Sequence, residues 1–423
     1  MSHDDIQEKD KPSRRDFVRR GTAGLFGGCL AAARSASGQP QTPSGSPGES
    51  AGTMVSTQPG RGNFNVKDFA TDSEAVQHAY DAMVTTPGRP KTLLLDPSAR
   101  PFQMDRPLDV WQSRCRVTST GGLTLVPDQD YKGPLIQTSL RKETKTGEDG
   151  VICNLIMDNL WLNGCNRSLG IKLRNVQLST IHSVHVRSTD GPGLWLSDGC
   201  IENLFSNLIL SDRCGNKDQP ALLIETESES RPKHIPDAIG NMTVNSTHFS
   251  GTMIHWPVNQ ALRIAGGPAP VSLSRRHRKI QFSGCYFHGH GGADKPVVTV
   301  SDAFELAFVG TQMLAWREDG CVMQLGERDA RWPTGIVLIS HCIFGSKPNS
   351  DTTGIRLVNV EENTPCLAVF GNSFGSHDAR LGHAVDWGPQ KNKQASWAAN
   401  VVHVKKDPHI GELPANADVL PFA

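Results

Sequence analysis

The stretch FSGCYFHGHGG, residues 282–292, states a phrase to which the chain keeps returning. It recurs as FVGTQM at 308–313, ISHCIFG at 339–345 and FGNSFG at 370–375. Upstream copies read MDNLWLNG at 157–164, IHSVHVRS at 181–188, FSNLILSD at 205–212 and NSTHFSG at 245–251. Aligned on the turn residue, they place Asn159, Ser183, Asn207, Ser246, Gly284, Gly310, His341 and Gly371 in one column. Apolar or small residues follow at every second position, such as Leu160 and Leu162, Cys285 and Phe287, or Cys342 and Phe344. A second phrase lies between successive copies: GIKL at 170–173, GLWL at 193–196, ALLI at 221–224, ALRI at 261–264, VVTV at 297–300, VMQL at 322–325 and GIRL at 354–357.

Period-two alternation sends every second side chain inward. A unit of a few short strands cannot enclose a core by itself, but like strands stacked on like can. Asn, Ser and Gly suit the tight turn because they accept left-handed backbone and bond neighbouring amides. The pattern therefore predicts an all-β parallel β-helix of eight or more coils over 63–404, with its first coils, near 92–150, less regular.

In DSEAVQHAYDAMV, Thr71 with Glu74 three residues on makes a capping box, and Val76, Ala79, Tyr80 and Met83 share one helical face. A helix over 72–84 is expected to cover the first coil, and a Pro-rich tail, 405–423, the last.

Upstream, SRRDFVRR at 13–20 precedes a short Gly/Ala-rich apolar run. It resembles a twin-arginine export signal, here assigned to 1–37, with export to the periplasm or beyond and no integral membrane segment after its removal. Cys29 is an alternative lipidation site. Residues 38–62 are rich in Pro, Gly, Ser and Gln and read as a flexible linker. Formal charge is zero over 423 residues, so a nucleic-acid partner is not expected. The ten Cys include no C-x-x-C pair and read as buried thiols.

FNVKDF, the helix, and then KTLLLDPSARPFQM together resemble the opening of the pectate-lyase superfamily of right-handed β-helices. A Gly- and Asp-rich segment usual before that helix is shortened here to ATDSE. The resemblance implies a protein that acts on polysaccharide: a lyase, a polygalacturonase-like hydrolase, an epimerase or a glycan binder. With the export signal, the preferred reading is an exported lyase that acts by β-elimination on an acidic glycan. Trimers are common among tailspike-like members.

Stacking directs attention to the loops that leave the second strand of each unit, which carry a polar column. GHG at 289–291 is similar to a polygalacturonase turn, but the paired carboxylates that a hydrolase needs are missing from the preceding coils. A lyase needs a base and a cation to neutralise the enolate; Arg, Lys, His or calcium can serve as that cation. The candidates are His290 or His255 as base and Arg317 as neutraliser, with Glu318 or Asp319 orienting a histidine or holding a cation such as calcium. Trp256 and Trp316 offer flat faces to a sugar ring. Arg213, His377 and Arg380 extend the groove. The basic run SRRHRK, 274–279, reads either as a solvated loop or as an attractor of anionic glycan. The alternative to catalysis is a glycan-binding matrix protein.

Overall fold

The computed structural model describes residues 54–56, 63–65, 68–85, 91–139, 151–226, 243–266, 276–290, 295–317, 319–348, 350–362, 365–376, 379–388 and 394–411. Three long sheets run side by side, with 13, 11 and 11 strands among the described residues. Each coil contributes one short strand to each sheet, and neighbouring coils pair in parallel: Trp161–Asn163 on His185–Arg187, for example, or Tyr286–Gly289 on Gln312–Ala315. This is a right-handed parallel β-helix, with the parallel stacking that the two interleaved phrases predict. The first phrase spans the first and second sheets, and the second phrase forms the third.

The turn between the first and second sheets explains the recurring small residue. Asn159, Ser183, Asn207, Gly284, Gly310, His341 and Gly371 all have φ between 51° and 67°. Asn and Gly tolerate this left-handed backbone at least cost. On one coil the structure shifts the column. Strand His248–Ser250 pairs with Leu204–Ser206 of the first sheet, so the column member on that coil is Gly251, at φ 60°, rather than Ser246. Ser246 occupies a different left-handed turn, one that enters the first sheet. The NST of that coil imitates the phrase one turn too early.

The interior is a stack of like side chains. Phe205, Phe249, Phe282 and Phe308 lie face to face at ring separations of 4.6, 4.8 and 4.9 Å. Offset aromatic stacking of this kind adds about 0.5–1.5 kcal/mol per pair beyond area burial. Cys115, Cys200, Cys214, Cys285, Cys321, Cys342 and Cys366 are buried, and no described cysteine is in a disulfide, as the sequence suggested.

Helix Asp72–Thr85 closes the first coil. Thr71 Oγ1 accepts from the Glu74 amide at 3.2 Å, so the capping box forms at its N-terminal half. Its side chains also satisfy the raw strand edge. Ser73 Oγ accepts from the Asp105 amide at 2.9 Å, Gln77 Oε1 from the Asp109 amide at 2.9 Å, and the Tyr80 hydroxyl from the Trp111 amide at 3.2 Å. A buried edge left without such acceptors would cost about 1–3 kcal/mol per amide. At the far end, buried Trp387 and Trp397 fill the core.

Residues 1–37 lie outside the described residues, as does most of 38–62. Met54–Ser56, within the stretch read as linker, pairs antiparallel with Lys91–Asp96. His409–Ile410, within the stretch read as tail, continues the third sheet. No described helix is long and apolar enough to cross a membrane.

Candidate functional site

Strands Met253–His255, Tyr286–Gly289 and Gln312–Ala315 are neighbours in the second sheet. Ile254, Phe287 and Met313 point into the core. The alternate positions, His255 and His288, therefore face outward, and their rings stack at 5.5 Å. After His255 the backbone turns left-handed at Trp256, φ 54°, an uncommon conformation for a bulky residue. That turn sets its indole 4.7 Å from the His288 ring and 4.9 Å from the indole of Trp316 on the second coil along. Trp316 lies 5.0 Å from His288 on the other side.

His288 was missed by sequence reasoning and lies at the centre of the cluster. It points away from the core yet is only 2% exposed, because the two indoles cover it. Neither ring nitrogen has a hydrogen-bond partner among the described residues. Burial, reinforced by His255 and His290, pushes its pKa down to about 4, so it is neutral at physiological pH. Its legible signal was the alternation Tyr286-Phe287-His288, which assigns the imidazole to the outer face.

His290 lies at the start of the loop and is exposed. Its amide donates to the Asn259 carbonyl at 3.0 Å, while its own carbonyl accepts from the Arg317 amide at 2.8 Å. The two residues are thus held on adjacent coils. Burial of part of the ring, followed by the charge of Arg317, lowers the His290 pKa and leaves the imidazole free to accept a proton at neutral pH. Arg213 is tied to the same edge, its amide donating to the Trp256 carbonyl at 2.8 Å.

Of the residues picked from sequence, His255, Trp256 and Trp316 meet around His288, His290 and Arg317 lie beside each other on adjacent coils, and Arg213 joins the edge through its backbone. Asp319 is exposed on the same loop as Arg317, and Arg380 is exposed on a loop two coils beyond. Glu318 and His377 lie outside the described residues. The basic run 274–279 divides. Arg276 is buried against Glu361 at 2.7 Å, and His277 is buried, so these two hold loops together and do not attract glycan. Among the described residues no group of three or more His, Cys, Asp or Glu side chains could hold a metal ion, so no calcium site is assigned to them.

No protein-family model matches the chain, and no curated protein matches it in sequence. Solved structures do. ORF18 of Geobacillus virus E2 superposes with a TM-score of 0.51 at 14% identity, covering 82% of this chain. This chain spans 61% of the length of that one. The A-module of mannuronan C-5 epimerase AlgE6 from Azotobacter vinelandii gives a TM-score of 0.50 at 14% identity, covering 82% of this chain and 99% of the module. An alginate lyase from Paenibacillus gives 0.42 at 13% identity, covering 79% of this chain and 97% of the lyase. At these identities the likeness establishes the fold alone, a parallel β-helix.

Proposed function

We propose that this chain is an exported protein that cleaves an acidic polysaccharide by β-elimination. The observation that carries the reading is the convergence of a neutral, exposed imidazole, His290, and a guanidinium, Arg317, on adjacent coils beside two exposed indoles. Trp256 and Trp316 would take the faces of sugar rings. His290 would remove the proton beside the uronate carboxyl group. The electron pair left behind forms the carbon–carbon double bond as the glycosidic C–O bond breaks, and the departing oxygen takes a proton from water. Arg317 would offset the negative charge that builds on the carboxyl group in the transition state.

A hydrolase would need two carboxyl groups facing one glycosidic bond. The described carboxylates nearest the histidines on the loops that leave the second sheet are Asp212 and Asp319. They lie three coils, about 14 Å, apart along the axis, too far to flank one bond as a pair, and this favours elimination. Export through the twin-arginine route rests on Arg14–Arg15 and the apolar run behind them.

The second reading is glycan binding without cleavage, favoured by the same exposed indoles. Mixing the mature protein with a panel of uronate polymers decides between them. New ultraviolet absorbance from a conjugated double bond, lost in His290→Ala, is the expected result. Binding with no cleavage product across the panel would leave only the second reading.

A further inference from the structure

The outer face of the second sheet carries a second cluster, two coils back from His255. There Trp161 stacks on His185 at a ring separation of 5.2 Å and an interplanar angle of 18°. The Arg187 guanidinium lies 5.3 Å from the centre of the Trp161 ring. Pairing registers tie this cluster to the first. Asn163, Arg187, Ser211 and His255 occupy one outward column, and His288 stacks at its end. Trp161, His185, Ile209, Met253 and Tyr286 form the column beside it. With adjacent strands about 4.8 Å apart, Arg187 lies about 10 Å from His255 along the axis, and Trp161 about 19 Å from Tyr286.

Two features mark the strip as built for a ligand. The Trp161 indole, the His185 imidazole and the Arg187 guanidinium are half-buried and gathered on the outer face, with the indole and the guanidinium in mutual contact. The charges are also distributed unevenly. On the first and third sheets, arginines are matched by carboxylates: Arg116 with Asp158, Arg174 with Asp198, Arg263 with Glu327, and Arg356 with Asp386. Along the second sheet and the loops that leave it, Arg187, Arg213 and Arg317 have no described carboxylate within 4.0 Å. Unpaired guanidiniums interleaved with exposed ring faces complement a chain that carries an anion on each sugar.

Resting on the cleavage reading above, we propose that Trp161, His185 and Arg187 form a distal subsite. It holds an acidic polysaccharide laid parallel to the β-helix axis while a later sugar of the same chain occupies the Trp256–Trp316 site. Ser211, whose hydroxyl is 2.7 Å from His185 Nε2, fixes the imidazole beneath the indole. The ligand class is polyuronate, since a neutral glycan would leave the guanidiniums unmatched.

The test uses the full chain carrying His290→Ala, so that ligands are not consumed, and uronate oligomers of increasing length. Affinity should rise with length until the oligomer reaches both clusters. In Arg187→Gln or Trp161→Ala, the longest oligomers should bind about tenfold more weakly, the equivalent of about 1.4 kcal/mol, while the shortest lose far less. Arg187→Gln replaces a half-buried side chain, and its melting temperature checks that it folds. Equal affinity for short and long oligomers, with elimination still seen in the unmodified protein, would overturn the subsite and leave the cleavage reading standing. Failure of every uronate oligomer to bind or react would overturn both. Tighter binding of neutral oligomers or of single-stranded nucleic acid would overturn the ligand class.

Discussion

The indole of Trp256 stands 4.9 Å from that of Trp316, inclined by 46°, with the His288 imidazole within 5.0 Å of both. The two tryptophans are 45% and 47% exposed, so they present a surface to solvent and seal a histidine beneath it. Two adjoining exposed indoles on a loop edge form the kind of contiguous apolar surface that marks an interaction site. Removing either ring should both weaken glycan binding and open His288 to water. Trp316→Ala is expected to reduce affinity for uronate polymer about tenfold, with Trp316→Phe retaining most of it, as read by fluorescence titration.

His290 acts as a base only when neutral. Partial burial and the Arg317 charge both lower its pKa, so the acid limb of the pH–rate profile should lie below the ordinary histidine range. In Arg317→Gln one of these two causes is removed. The limb should move to higher pH while the maximal rate falls, because the neutralising charge is lost as well. A limb that stays in place in that variant would show that Arg317 does not act on His290.

Acid stability should be set partly by a residue outside the site. His277 is 1% exposed, its Nδ1 accepting from the Val244 amide at 3.0 Å and its Nε2 bonded to the Ala265 carbonyl at 2.7 Å. Burial lowers its pKa to about 4. Between that value and the unfolded value near 6.5 the unfolded chain binds more protons, so stability rises with pH across this window and is fully present above it. Acidification from neutral pH to about pH 4 should cost about 3 kcal/mol from this group, measured as a drop in the urea midpoint. His277→Gln should be less stable at neutral pH and show a shallower acid dependence.

The turn column can be tested apart from packing at Gly284. It has φ 58°, and a β-carbon built there meets no atom within 4 Å. Gly284→Val should therefore cost at least about 1 kcal/mol from the backbone alone, and Gly284→Asn clearly less, compared as denaturation midpoints.

Period-two runs joined by left-handed turn residues expose a β-helix directly, because both the alternation and the turn chemistry are local. The order of Asn159, Ser183 and Asn207 therefore carried the fold. Register was less secure: NSTHFSG contains two left-handed residues, Ser246 and Gly251, and only pairing with Leu204–Ser206 shows which one turns into the second sheet. The candidate site was legible where chemistry stood in loops, as at His290, Trp316 and Arg317, and His255 was found through its neighbour Trp256 at the end of a strand. His288 and Arg187 lie inside strands, and their role depends on what the neighbouring coils place over them. A linear sequence states such relations only after the registers are known. Arg276 shows the converse: a side chain that reads as solvated charge turns inward to meet Glu361.

The most direct measurement is chemical rescue. His290→Ala is mixed with a uronate polymer with and without free imidazole, and formation of the unsaturated product is followed by absorbance. The expected result is near-complete loss of elimination, partly restored by imidazole and not restored in an Arg317→Gln background. Full activity in His290→Ala would contradict the assignment of His290 as the base.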